Sequence, residues 1–323
     1  MGPINTNLLW MIGGTIAALG CGSAIRFVAL RNSPADVAKA RLGSLGVWWI
    51  LVLLWSTAAL VGQFGVAAIL VTASVLATTE FLRLVATKKE IGSLAIASTL
   101  VLGAVHYLLI VNGNIQLAKW FLPITALLTL GGIRSLAGET DKYIRITASL
   151  YWGVMLLTYG LSHSLFLFHL DLVSDPVVGP AGWFLYLVIL TEMNDIMQAI
   201  VGRKFGKHKI TPKVSPNKSL EGLIGGCVST VLLSVVLAPF LTTFLNERNL
   251  VEAIGLSAIS GALISLVGFM GDLNMSAIKR DAGVKDGSSL FPGMGGMIDR
   301  IDSLVFTGPC FYYFVVLVNH FSI

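Results

Sequence analysis

Residues 251–271 read VEAIGLSAISGALISLVGFMG, an apolar run whose only charge, Glu252, sits near its start. A helix needs about 20 apolar residues to cross the hydrocarbon layer of a bilayer, so this stretch predicts a membrane span. The same pattern recurs along the chain, near 8–25, 45–62, 64–79, 91–111, 120–133, 147–170, 177–193, 221–245 and 303–320. Ten spans is the best count and nine the alternative, because 64–79 and 120–133 are short enough to be tilted, re-entrant or merged with a neighbour. Composition agrees: of 323 residues, 55% are hydrophobic and only 12% charged, where soluble domains approach about 25% charged. Mean hydropathy is +0.82. The expected fold is an all-α polytopic membrane protein.

The formal net charge of +5 is explained by membrane orientation before nucleic acid, since basic residues concentrate in alternate loops. One set of loops holds Arg31, Lys39, Arg41, then Arg83, Lys88, Lys89, then Arg134, Lys142, Arg145, then Arg203 to Lys218, then Lys279 to Arg300. Lys119 and Arg248 fall on the other side. The bias predicts that the charged loops face the cytoplasm and both termini face outward, with no nucleic-acid partner. MGPINTN carries no basic residue, so the first run reads as a retained span rather than a secretory signal. Cys21, Cys227 and Cys310 lie far apart in apolar stretches and read as small core residues rather than disulfide or zinc ligands. His106, His163 and His169 read as packed or interfacial, and Trp48, Trp49, Trp120, Trp152 and Trp183 as anchors near span ends. Gly222 and Gly226 are spaced for close helix packing.

Polar residues divide the chain into N-terminal spans, 1–190, and a C-terminal region, 191–323, whose two long loops are rich in glycine and in both signs of charge. Directly after the opening run, 271–302 reads GDLNMSAIKRDAGVKDGSSLFPGMGGMIDRID. If the span continues as a helix, Asp272, Ser276 and then Lys279 or Arg280 share a face. Gly283 is placed to end that helix, the glycines at 293–296 let backbone approach a ligand, and Asp299 and Asp302 share a face of the next helix. Acids from two helices beside glycine-rich backbone suit a Mg²⁺–nucleotide complex, because Mg²⁺ takes oxygen ligands, commonly one or two carboxylates plus substrate phosphates. A merely solvated face, worth about 0–1 kcal/mol per exposed pair, would need neither the glycines nor Asp272 at the end of an apolar helix. In the other loop, Ser215-Pro216 reads as a helix start. That places Lys218 and Ser219 in a first turn suited to phosphate, whereas Lys204, Lys207 and Lys209 read as orientation charges. GRKFGK at 202–207 lacks Walker spacing and is not a P-loop.

Together these residues resemble the signature of the phosphatidate cytidylyltransferases. That pattern appears as Ser276, Lys279-Arg280, Lys285-Asp286, Pro292-Gly293-Met294-Gly295-Gly296 and Asp299-Arg300-Ile301-Asp302. The preceding loop resembles the family's other segment through Asp195, Gly202-Arg203, Gly206-Lys207 and Ser215 to Gly222. Two departures stand out: Met294 where the family usually has His, and Ile196, Met197 and Gln198 after Asp195 in place of Thr, Gly and Ala. The resemblance implies transfer of CMP from CTP to phosphatidate, giving CDP-diacylglycerol and pyrophosphate at the cytoplasmic face, with Mg²⁺, a second cation being left open. It implies Asp272 and Asp299 as metal ligands, with Asp286 and Asp302 as further contacts to the metal site. It implies Lys218, Arg280, Lys285 and Arg300 on the phosphates, and Ser215, Ser219, Ser276, Gly295 and Gly296 against substrate. It also implies a homodimer and a cleft opening sideways to lipid. The alternatives are a cytidylyltransferase for a different lipid phosphate, a polytopic transporter, and an inactive scaffold.

Overall fold

A computed structural model describes residues 5–31, 35–172, 174–246, 248–291 and 295–320. Pro292, Gly293 and Met294 of the signature lie outside the described residues, as do the side chains of Lys39, Arg41, Lys88 and Lys89. The chain folds into helices α1 Thr6–Leu30, α2 Ala35–Val61, α3 Gln63–Val85, α4 Lys88–Ile91, α5 Ser93–Val111, α6 Ile115–Leu136 and α7 Tyr143–Val154. The last runs through a π turn, Met155–Gly160, into α8 Leu161–Phe166. After α9 Gly182–Phe205 comes a small hairpin, β1 Lys209–Thr211 and β2 Ser215–Ser219, followed by α10 Leu220–Leu241, α11 Leu250–Asp281, α12 Ile298–Ile301 and α13 Leu304–His320.

Among the described residues nine helices are long and apolar enough to cross a membrane, and Leu45–Val61 within α2 adds a shorter apolar helix. Every apolar run read from the sequence is thus helical over most of its length, and the chain is an all-α polytopic membrane protein. The two runs that looked short are not. α3 and α6 have 23 and 22 residues, since the polar Thr78, Thr79 and Glu80 of α3 and Lys119 of α6 continue their helices beyond the purely apolar stretch.

The core lies where α3, α8, α9 and α13 meet. In the span Tyr143–His169 78% of the most apolar window is buried, against 6% in α1. The π turn lets Gly160 press against α13: a Cβ on Gly160 would sit 2.5 Å from the Val305 carbonyl oxygen. α9 and α10 pack equally closely, for a Cβ on Gly222 would lie 2.8 Å from the Gln198 carbonyl oxygen and one on Gly226 2.3 Å from Gln198 Cγ, as their spacing predicts. Trp183 is a correction. It is buried against Phe244 and Phe311 rather than anchored at an interface. Cys21 and Cys310 are exposed, so they are not core residues.

Loop contacts fix the parity of the crossings. Asn5 and Asn7 donate to the Val177 carbonyl, Val178 N–H to Phe240, Asn246 to Ser174, and Arg248 to Val318. These put both described chain ends at one end of the bundle. The hairpin and the segment after α11 lie at the other, as an even number of crossings requires.

Candidate functional site

Three elements from that opposite end build the site. α11 continues to Asp281 and is closed by Gly283, whose φ of +73° and N–H to the Arg280 carbonyl form the expected terminus. The helix continuation carries Asp272 and Ser276 onto one face, and the Ser276 hydroxyl donates to Asp272 Oδ1 at 3.2 Å. The stripe predicted beyond them is split. Lys279 turns to Asp299, while Arg280 donates to the carbonyls of Val214 and Val284 and braces the hairpin against the loop.

The second loop corrects the sequence reading. Ser215 and Pro216 do not start a helix; they begin β2, paired antiparallel to β1 with Lys209 opposite Ser219 and Thr211 opposite Ser215. Proline is tolerated at the edge of a two-stranded hairpin, where its missing N–H is not required. The helix starts later because Ser219 is its N-cap, accepting from the Gly222 N–H at 3.2 Å. Glu221 in its first turn takes the N–H groups of Lys207 and His208 and the His208 ring, which folds the hairpin back on the helix. Lys218 is thus delivered by a strand. Its Nζ lies 2.5 Å from Asp272 Oδ2, donates to Gln198 Oε1 at 3.3 Å, and sits 5.4 Å from the Phe269 ring centre. Burial disfavours this ammonium, but Asp272 and Asp195 outweigh burial and hold its pKa above the ordinary lysine value.

α9 supplies Asp195, whose Oδ2 accepts from the Ser303 hydroxyl at 2.7 Å. Asp195, Asp272, Asp299 and Asp302 line one cavity of about 530 Å³ with Arg26, Arg203, Arg300 and Glu192. Asp302 accepts from the Ser303 N–H. Asp299 is more heavily engaged: Lys279 takes Oδ1, and the N–H groups of Gly287 and Gly296 donate to Oδ2 at 3.0 and 2.8 Å. Among the described residues no three His, Cys, Asp or Glu side chains already stand close enough to hold a metal ion.

Two further cavities adjoin this one. An apolar cavity of about 420 Å³ runs between α1, α2 and α9, walled by Trp48, Trp55 and Leu185, and shares Leu19, Gly22, Trp48, Glu192 and Ile196 with the acidic cavity. A polar pocket of about 500 Å³, lined by Gln198, Arg203, Lys209, Asn217, Lys218 and Ser219, shares Ala199 and Arg203 with it.

Of the residues singled out from the sequence, Lys218, Ser219, Asp272, Asp299, Arg300 and Asp302 line these adjoining spaces, and Ser276 stands behind them on Asp272. Arg280 and Ser215 do not line them, and Lys285 and Asp286 are exposed on the loop. The glycines serve carboxylates of the protein. A Cβ on Gly296 would fall 2.4 Å from Glu80 Oε2, and one on Gly295 2.4 Å from Asp299 Oδ2, so both make room for carboxylates of the protein itself. Sequence reasoning missed Glu80, Glu192, Gln198 and Ser303 as site residues. Asp195 carried a signal in its spacing to Gly202-Arg203; Glu80, alone in an apolar run, carried none.

Comparison with known proteins completes the description. Residues 44–318 match the Cytidylyltransferase family. The chain is 41% identical to the Escherichia coli "Uncharacterized protein YnbB" across 65% of this chain and 67% of that one. It is 44% identical to the Haemophilus influenzae phosphatidate cytidylyltransferase across 42% of this chain and 46% of that one. With the Chlamydia muridarum phosphatidate cytidylyltransferase it shares 29% identity across 55% of this chain and 53% of that one. The chain thus spans about half the length of the phosphatidate cytidylyltransferases it matches.

Proposed function

The chain belongs to the cytidylyltransferase family, which bears out the resemblance drawn from its signature. From that membership we propose that it transfers CMP from CTP to the phosphate of a membrane lipid, phosphatidate first, giving CDP-diacylglycerol and pyrophosphate. One observation carries the reading: the acidic and basic cavity shares lining residues both with an apolar groove and with a polar, basic pocket. A ligand with an acyl tail and a ligand rich in phosphate have adjoining places, and their reactive ends meet between Asp195, Asp272 and Arg300.

In this reading the groove between α1, α2 and α9 takes an acyl chain, so the lipid keeps its tail in apolar surroundings while its headgroup reaches the cavity. The lipid phosphate is already anionic near neutral pH and needs no strong base. One of its oxygens forms a bond to the α-phosphorus of CTP as the bond from that phosphorus to the bridging oxygen breaks, and pyrophosphate leaves. Lys218, held cationic by Asp272, together with Arg203 and Arg300, neutralises the phosphate oxygens. The donor set facing the cavity is all oxygen, which fits a hard cation whose remaining ligands come from substrate phosphates. Asp272 and Asp302 would hold Mg²⁺, and Asp299, already bound by Lys279 and two amides, would hold the loop. A bound Mg²⁺ would supply Lewis-acid stabilisation of the transferring phosphate. The bias of basic residues toward the loops at this end supports a cytoplasmic face for the chemistry.

The test supplies the reconstituted protein with Mg²⁺, CTP labelled in the cytidine, and a panel of lipid phosphates differing in backbone and chain number. Label is expected in the lipid fraction together with released pyrophosphate, phosphatidate being the first candidate. Absence of a cytidine lipid across the whole panel overturns the proposal.

A further inference from the structure

Glu80 comes from α3, outside the charged loops, yet its carboxylate is buried and spends all its hydrogen bonds on the segment that leads into Asp299 and Asp302. Oε1 accepts from the Ser288 hydroxyl at 2.6 Å and the Met297 N–H at 3.0 Å, and Oε2 accepts from the Ile298 N–H at 3.0 Å. A carboxylate removed from water is costly unless hydrogen-bonded, and here three neutral donors meet that need. Asp299 does the same work alongside: its Oδ2 takes the N–H groups of Gly287 and Gly296. The neighbours Gly287 and Ser288, and the run Gly296 to Ile298, are thus divided between two carboxylates, one from each half of the chain. The bare α-carbon of Gly296 makes this possible, since a side chain there would collide with Glu80. Glu80 is not among the residues that line the cavity.

We propose that Glu80 is a positioning residue for the transfer reaction, pinning the Gly296–Ile298 turn so that Arg300 and Asp302 are presented to the cavity. The inference rests on the cytidylyl-transfer reading of that cavity. It assigns α3 a part in the chemistry that its sequence, a span with a single acid, does not announce. A mutation acting through the groups that orient a site costs about 10- to 100-fold in activity or metal affinity.

The experiment compares Glu80→Gln and Ser288→Ala with the unaltered protein by amide hydrogen exchange, thermal unfolding and steady-state kinetics. For Glu80→Gln, exchange at 296–298 is expected to quicken, kcat to fall about 10- to 100-fold, and the Mg²⁺ requirement to rise. KM for the lipid phosphate should stay the same, because the groove is untouched. Ser288→Ala, which keeps both amides on Glu80, should follow in the same direction by about three- to tenfold, and it decides the matter if Glu80→Gln does not fold. Kinetic constants within twofold of the unaltered protein in the folded variants would overturn the proposal, and so would unchanged exchange. If the unaltered protein transfers no cytidylyl group, the parent reading fails, while the exchange data still report whether the clamp exists.

Discussion

His106 and Asp195 are both polar residues inside apolar helices, and the difference between their surroundings separates packing from chemistry. His106 is fully buried; its Nε2 lies 2.8 Å from the Ser162 hydroxyl, which donates to the Tyr159 carbonyl, and His163 Nδ1 bonds that same carbonyl. Rings of Tyr107, Tyr159 and Phe166 close around the pair. Every polar atom used there is turned inward. Asp195 bonds Ser303 from the far end of the chain and shares a cavity with Asp272, Asp302 and Arg300. The first region joins α5 to α8 through a hydrogen bond enclosed by packed rings, whereas Asp195 meets elements distant in sequence around open space. Burial of a polar group does not mark function; an ionisable side chain that keeps one side toward a cavity does.

Substitutions that treat the two regions alike put that contrast at risk. Asp272→Asn removes the charge facing both the cavity and Lys218, and turnover in the CTP assay should drop by about 100-fold or more, with a smaller loss of unfolding temperature than at Asp299 because Asp195 still faces Lys218. Asp299→Ala leaves Lys279 buried without its partner, a loss of about 3–5 kcal/mol, so it should lower the thermal midpoint and activity together. Equal unfolding curves for the two would erase the distinction drawn between cavity and clamp. Ser162→Ala, in the histidine cluster, should cost about 1 kcal/mol and leave kcat and KM alone; a lost activity there would make the first region a partner in the chemistry.

The smallest effect belongs to a surface pair. The Lys142 ammonium beside Glu90, with the Thr87 hydroxyl and amide, pulls the Glu90 pKa from 4.5 down to about 2. A carboxyl depressed on folding contributes stability above its unfolded value, and the contribution is lost as pH falls from about 4.5 through about 2. Glu90→Gln should flatten the acid limb of a thermal-stability profile slightly, and the difference from the unaltered protein should shrink in high salt because both groups are solvent-exposed.

Much of the bundle was legible because a bilayer imposes its thickness on sequence: runs of apolar residues near the required length can hardly be anything else. The continuation of α11 through Asp272 to a Gly283 terminus followed from helical spacing, and the signature brought Asp272, Asp299 and Asp302 together, as the cavity lining does. The hairpin did not. Ser215-Pro216 carries the local marks of a helix start, but strand pairing with Lys209–Thr211 and the hold of Glu221 on two amides override them. Trp183 was misplaced because proximity to a span end does not report which way a helix faces. Glu80 was beyond reach because its partners stand more than 200 positions away, and no local pattern encodes such a contact.

The three adjoining cavities follow one another along a single helix, α9: Leu185 to Ile196 border the apolar groove, Glu192 to Arg203 the acidic cavity, and Gln198 to Gly206, just past the helix end, the polar pocket. On the cytidylyl-transfer reading, helical rise, about 1.5 Å per residue, would work as a fixed ruler between tail, reacting centre and nucleotide. Chain-length preference and base preference would then be set at opposite ends of one rod, without altering the gap that the bond-forming atoms must close.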